Sequence, residues 1–105
     1  MSLPKNFGGV ALAATTNTDV FQAPADGCSY SVTVVNRGVV DATIRLGVSD
    51  TSVTFENANY LEYDLVVPAS GVLNLTGMIM EDDTKYLVAY SDVTNVTVSA
   101  YGWSA

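Results

Sequence analysis

The stretch CSYSVTVVNRG, Cys28 to Gly38, decides how the chain is read. Cys28, Tyr30, Val32 and Val34 alternate with Ser29, Ser31 and Thr33, and the run stops at Asn-Arg-Gly. Alternation with period two places apolar side chains on one face of a half-buried strand. ATIRLGVS repeats it, with Ala42, Ile44, Leu46 and Val48 on one face. In VLNLTGMI the expected inward set is Leu73, Leu75, Gly77 and Ile79, and in VTVSAYGW it is Val96, Val98 and Ala100. Less regular strands are expected at Val10–Ala14, Asp19–Gln22, Tyr60–Val67 and Lys85–Tyr90.

Turn clusters separate these runs: TTNT, APADG, NRG, SDTS, ENAN, PASG, EDDT and SDVTN. Glycine admits positive φ, proline fixes φ, and Asn and Asp hydrogen-bond nearby backbone. No window holds a helical period, apart from room for a single turn around Thr51–Ala58. The expectation is one all-β domain, a β-sandwich of jelly-roll or immunoglobulin-like type with seven or eight antiparallel strands. Residues 10–105 would form it. Residues 1–9, with Pro4 and Gly8-Gly9 and little to bury, read as an N-terminal arm.

The chain has 105 residues and a net charge of −7, and only 14% of its residues are charged. Ordinary domains carry about 25% charged residues. The deficit implies a surface rich in Ser, Thr and Asn, or one partly covered by a partner. Lys5, Arg37, Arg45 and Lys85 form no basic run, which argues against nucleic acid. The apolar run Val10–Ala14 is too short for a signal core, and nothing approaches a membrane span. A soluble protein made in a cytoplasm is expected.

The chemical inventory is thin. There is no histidine and one cysteine, Cys28, which reads as a small buried hydrophobe and excludes an internal disulfide. Glu81–Asp83 lacks the alternating ligands of a calcium loop and reads as a solvated turn. Glu62 and Asp64 would share a strand face with Tyr60, a pattern glycoside hydrolysis could use but one that an acidic edge explains as well. No nucleophile elbow or phosphate loop occurs. No catalytic residue, cofactor or metal is expected. The acceptor-like triplets at Asn74 and Asn95 read as chance matches in a Thr-rich chain.

Tyr101 and Trp103 would project outward from the last strand, beside Thr97 and Ser99, unless Trp103 folds back to plug the end of the sandwich, and Met78 and Met80 would project from the polar face of theirs. Exposed aromatics and methionines suit a contact surface. Met78, Met80, Tyr101, Trp103 and Tyr60 are therefore the candidate interface residues.

Taken in order, ALAATTNTDVFQAPADGCSYSVTVVNRG, ATIRLGVS, YLEYDLVVPASGVLNLTGMIM and KYLVAYSDVTNVTVSAYGW resemble the small virion structural proteins of tailed bacteriophages, cyanophages among them. DTSVTFENAN stands as an insertion against that pattern. The resemblance implies a non-enzymatic β-sandwich of the particle, most simply a capsid decoration or cement protein. Its partners would be the major capsid protein or other virion proteins, and it would form a homo-oligomer, a trimer or dimer. A tail, neck or fibre component and a carbohydrate-binding module are the alternatives. The last would need two or three coplanar aromatics on one sheet face, with Tyr60, Tyr101 and Trp103 as the candidates.

Overall fold

A computed structural model describes residues 3–104. Eight strands follow one another: β1 (Leu3–Leu12), β2 (Thr18–Gln22), β3 (Cys28–Asn36), β4 (Ala42–Ser49), β5 (Tyr60–Val67), β6 (Val72–Met80), β7 (Tyr86–Ser91) and β8 (Val96–Ser104). A single 3-10 turn, Asn57–Asn59, overlaps the end of the segment Thr51–Ala58 where one turn was expected. The strands form two four-stranded sheets, ordered β1-β8-β3-β6 and β2-β7-β4-β5.

The pairing is nested. β1 pairs with β8, β2 with β7, β3 with β6 and β4 with β5, all antiparallel. The chain is thus one long hairpin whose tip is the loop between β4 and β5. Rolling that ribbon adds the pairs β3–β8 and β4–β7. Of the two sandwich topologies expected from the sequence, this is the jelly roll.

β1 extends further back than the sequence suggested. Within the segment read as an arm, Leu3–Gly9 lies in β1 and runs beside β8 from Leu3↔Ser104 to Gly9↔Ser99. Residues 1 and 2 fall outside the described residues. Phe7 holds this segment down: its ring stacks on Phe21 at 4.8 Å, and Phe21 meets Tyr30 edge-on at 5.4 Å.

The core lies between the sheets, as the alternation requires. Tyr30, Val32 and Val34 of β3 face Ile44 and Leu46 of β4, with Leu87, Val96, Val98 and Ala100 closing around them. β3 ends where the Asn-Arg-Gly signal placed its end. Asn36 is buried, and its Nδ2 donates to Val40 O (2.8 Å) and Val67 O (3.0 Å) while its Oδ1 accepts from Gly38 N (3.0 Å). One amide side chain ties the turn after β3 to the end of β5.

β6 departs from strict alternation. Val32 pairs with Leu75 and Tyr30 with Met78, so Thr76 and Gly77 together oppose Ser31. This is a β-bulge, and Gly77 takes φ +75°, a conformation that costs an L side chain. The extra residue inverts the facing of everything after it. Ile79, expected inward, is 72% exposed; Met80, expected outward, is 1% exposed and part of the core. Met80 is therefore not a surface residue, and Met78 is half-buried.

Two glycines separate two reasons for having no side chain. At Gly77 an added Cβ would meet nothing within 4 Å, so only φ opposes it. At Gly102 it would lie 2.1 Å from Ser29 O and 2.7 Å from Tyr30 Cα, where β8 presses on β3. Gly77→Ala should cost about 1–2 kcal/mol. Gly102→Ala should cost about 3 kcal/mol, because backbone must move. Thermal melts of the two variants check this, at roughly 4–8 °C per kcal/mol for a domain near this size.

Candidate functional site: an uncharged sheet face

The two outer faces of the sandwich differ in charge and in cover. On the β1-β8-β3-β6 sheet, β3 turns Ser29, Ser31, Thr33 and Val35 outward, each facing a residue of β8: Trp103, Tyr101, Ser99 and Thr97. The flanking strands continue these rows. β1 adds Pro4, Asn6, Gly9 and Ala11, and β6 adds Ile79, Asn74 and Val72. Among the described residues, none of these outward positions carries a charge. Arg37 stands at the rim, its Nε donating to Thr97 Oγ1 at 2.9 Å. Within the face, Thr33 Oγ1 donates across the strands to Asn74 Oδ1 at 2.8 Å.

Apolar area gathers at one end of this face. Trp103 is 53% and Tyr101 52% exposed. A groove of about 210 Å³ runs along both rings over Ser29, Ser31 and Gly77. A second, of about 330 Å³, lies between Trp103 and Ile79. Ile79 also borders a third cleft with Tyr60 and Leu61, where Glu81 and Lys85 bring charge back and end the apolar area at the edge of the sandwich.

The opposite face, β2-β7-β4-β5, is charged and capped. The loop that looked like an insertion, DTSVTFENAN, is the tip of the rolled ribbon, and it folds back over this sheet. Asp19 fastens it, with Oδ1 accepting from Val53 N (2.7 Å) and Oδ2 from the Ser52 hydroxyl. Asn17 Nδ2 donates to Val53 O at 3.2 Å. Phe55 comes down on Gly47, where a Cβ would sit 3.0 Å from its ring. Val88, which pairs with Gly47 and stands outside the core cluster, is completely buried on this side of the sheet.

Tyr60 belongs to this cap. It stacks on Phe55 at 5.0 Å and meets Tyr63 edge-on at 4.9 Å. Arg45 lies over Tyr63 and Tyr90, at 4.5 and 5.2 Å from the ring centres, and pairs with Asp64 at 2.6 Å. Tyr60 is thus on the other sheet from Tyr101 and Trp103. Of the three candidates for a sugar-stacking platform, Tyr101 and Trp103 share a face and Tyr60 does not.

Glu62 and Asp64 do not form a simple pair two residues apart on a regular strand. β5 shifts register on both sides of Glu62, and Asp64 takes φ +52°. Asp64 is engaged by Arg45. Other acids hold turns. Glu56 Oε1 accepts from Asp50 N (2.7 Å) and Ser49 Oγ (3.0 Å), Asp92 Oδ1 from Thr43 N (2.8 Å), and Asp41 Oδ1 from Ala69 N (3.2 Å). In the Glu81–Asp83 turn, Asp82 accepts from the hydroxyl and the N–H of Thr84, which lowers its pKa. Asp50 pairs with Lys85, whose pKa that hydrogen bond raises. Among the described residues, no three potential ligands gather as a metal site.

Cys28 is buried, and desolvation pushes its thiol pKa up, partly offset by a backbone hydrogen bond involving Met80. Reactive thiols have the opposite shift.

Comparison with known proteins adds a structural likeness. No family model and no curated protein matches the chain. Among solved structures, a pentameric capsid protein isolated from metagenomic phage sequences superposes with a TM-score of 0.46 at 16% identity. The match covers 90% of this chain and 59% of that one, so this chain spans less than two thirds of that protein's length.

Tyr30 offers a test of the packing beneath the face. Its hydroxyl is buried with no hydrogen-bond partner among the described residues, and burial, with a smaller contribution from Cys28, raises its pKa far above the ordinary phenol value. The folded state therefore holds the neutral phenol while the unfolded chain ionises near pH 10. The resulting stability is complete below about pH 10 and is lost as pH rises toward the folded-state pKa. Tyr30→Phe should be neutral or stabilise the fold by about 1 kcal/mol at pH 7, since no bond is broken. It should also remove part of the alkaline loss, measured by urea unfolding at pH 7 and pH 10.5.

Proposed function

We propose that this chain is a non-enzymatic structural component of a phage virion, and that it lays its β1-β8-β3-β6 face against neighbouring subunits. The reading favours the capsid shell, with the protein acting as a decoration or cement subunit that clamps adjacent capsomers. It works as a homo-oligomer on the major capsid protein.

One observation carries the proposal: a four-strand-wide face without charge, on a chain of net charge −7. Interface cores are depleted in charge and enriched in Tyr and Trp, whereas a face that stays in water has no reason to avoid charge. Trp103, Tyr101 and Ile79 give the face an apolar anchor, and the Ser, Thr and Asn rows supply hydrogen-bonding capacity around it. Apart from Lys5 of β1, which stands beside Gly102 and outside these outward rows, the charged groups lie on the capped sheet and in turns. The resemblance of YLEYDLVVPASGVLNLTGMIM and the flanking segments to tailed-phage virion proteins supports the same reading. By fold-level analogy, jelly rolls build capsid and lectin domains alike, so the face rather than the fold bears the weight. Repetition over a symmetric shell lets weak single contacts add.

Purified protein should bind saturably to shells that lack it and raise their melting temperature. Tyr101→Ala with Trp103→Ala should weaken binding at least tenfold, as loss of about 1.4 kcal/mol or more from two aromatic anchors would. Tyr63→Ala, on the opposite sheet, should leave it unchanged. Absence of shell binding at micromolar concentration would refute the proposal. A copy number in particles far below that of the shell protein would move the site to the tail.

A further inference from the structure

The four edge strands are unequally protected against pairing with another chain. β1 carries Pro4, Lys5 and a register shift at Phe7. β2 carries Asp19 and a register shift, and β5 carries Glu62, Asp64 and two shifts. Such charges, prolines and bulges are how edges are kept from templating a further strand. β6 has neither charge nor proline over Val72–Met80. Its bulge lies at Thr76–Gly77, which leaves Val72–Thr76 as a regular run with β3 as its hydrogen-bonded neighbour on one side. Leu73 and Leu75 face inward on this run yet stay half-exposed, as do Leu61 and Leu65 of β5. The core is open along this side.

We propose that β6 pairs antiparallel with β6 of a second copy of this chain, about a two-fold axis at Asn74, joining two β1-β8-β3-β6 sheets into one. The sequence of the run fits its own reversal. Leu73 falls opposite Leu75 on the inner face, Val72 opposite Thr76 on the outer face, and Asn74 opposite Asn74. Thr33 occupies Asn74 Oδ1 from within the subunit, and Nδ2 remains to donate across the axis. A strand without charge meets its copy without repulsion, although each chain carries −7. An isologous contact of this kind closes on itself as a dimer.

The size of the contact sets its strength. Five residues at about 3.4 Å give roughly 17 Å of paired strand. Five residues a side are well short of the roughly 20–30 a side of a standard interface. The dimer is weak in dilute solution and becomes effective where copies are already gathered on a surface. The inference stands apart from the virion reading, since it concerns the free protein.

Sedimentation equilibrium from about 10 µM to about 1 mM tests it. The mass should rise with concentration from 11.1 kDa toward twice that value. Val72→Lys with Thr76→Lys sets lysine opposite lysine at both ends of the pairing and should raise the dissociation constant at least tenfold. Val72→Lys with Thr76→Glu sets lysine opposite glutamate and should match or tighten the wild-type value. Both positions are exposed, and unchanged melting of the variants confirms the fold. A chain still monomeric at the top concentration, equal weakening by both variants, or a trimer or pentamer without a dimer would overturn the proposal. Tyr101→Ala with Trp103→Ala should leave this dimer intact, so its failure and the failure of shell binding are read separately.

Discussion

Nested antiparallel pairing, each strand with its mirror position in the chain, is the constraint from which the other features follow. It makes β4–β5 the only hairpin that stays within one sheet and carries every other connection across the sandwich. Because the ribbon rolls, its tip comes to rest on the β2-β7-β4-β5 sheet, where Asp19 and Gly47 receive it. Because it rolls, β8 also slots between β1 and β3, and the contact is so close at Gly102 that no side chain fits. The core is what remains between the two layers.

The roll leaves the faces unequal. The capped sheet spends its polar groups locally: Arg45 lies between two tyrosines and Asp64, and Asp19 is consumed by the loop. Each such exposed pair adds modestly to stability. Together they position a loop that buries Val88 and the ring of Phe55 against the sheet. The bare sheet has no such cover. A face of serine, threonine and asparagine with aromatics at one end is compatible with water, so the free protein need not aggregate. It is equally ready for a neighbour, since no charge must be desolvated when it is covered.

Much of this was legible in the sequence. Period-two alternation located β3, β4, β6 and β8, and turn chemistry located the breaks between strands, because both signals are local to the residues that bear them. The outward aromatics Tyr101 and Trp103 follow from the same parity. What failed was parity beyond a bulge. A glycine inside a strand is a known bulge signal, and Gly77 is one, but whether it inserts a residue depends on β3 across the ladder. Met80 and Ile79 exchanged faces for that reason. The sheet that carries Tyr60 was not legible for a similar reason, since assigning it requires the strand order. The Leu3–Gly9 segment read as an arm because Pro4, Gly8 and Gly9 give no alternation; β8 supplies the ladder, and Phe7 supplies the anchor.

The central place of β8 also bears on how the molecule is made. β1 and β3 are synthesised before β8, the strand that separates and pairs them both, and β8 follows the other seven strands out of the ribosome. Until then the β1-β8-β3-β6 layer has a gap in its middle, with two long apolar-faced strands waiting on either side. Non-local closure of this kind is slow, and open strand edges invite association between nascent chains. Selection would then act on the speed with which β8 finds its slot, as well as on the stability of the finished fold.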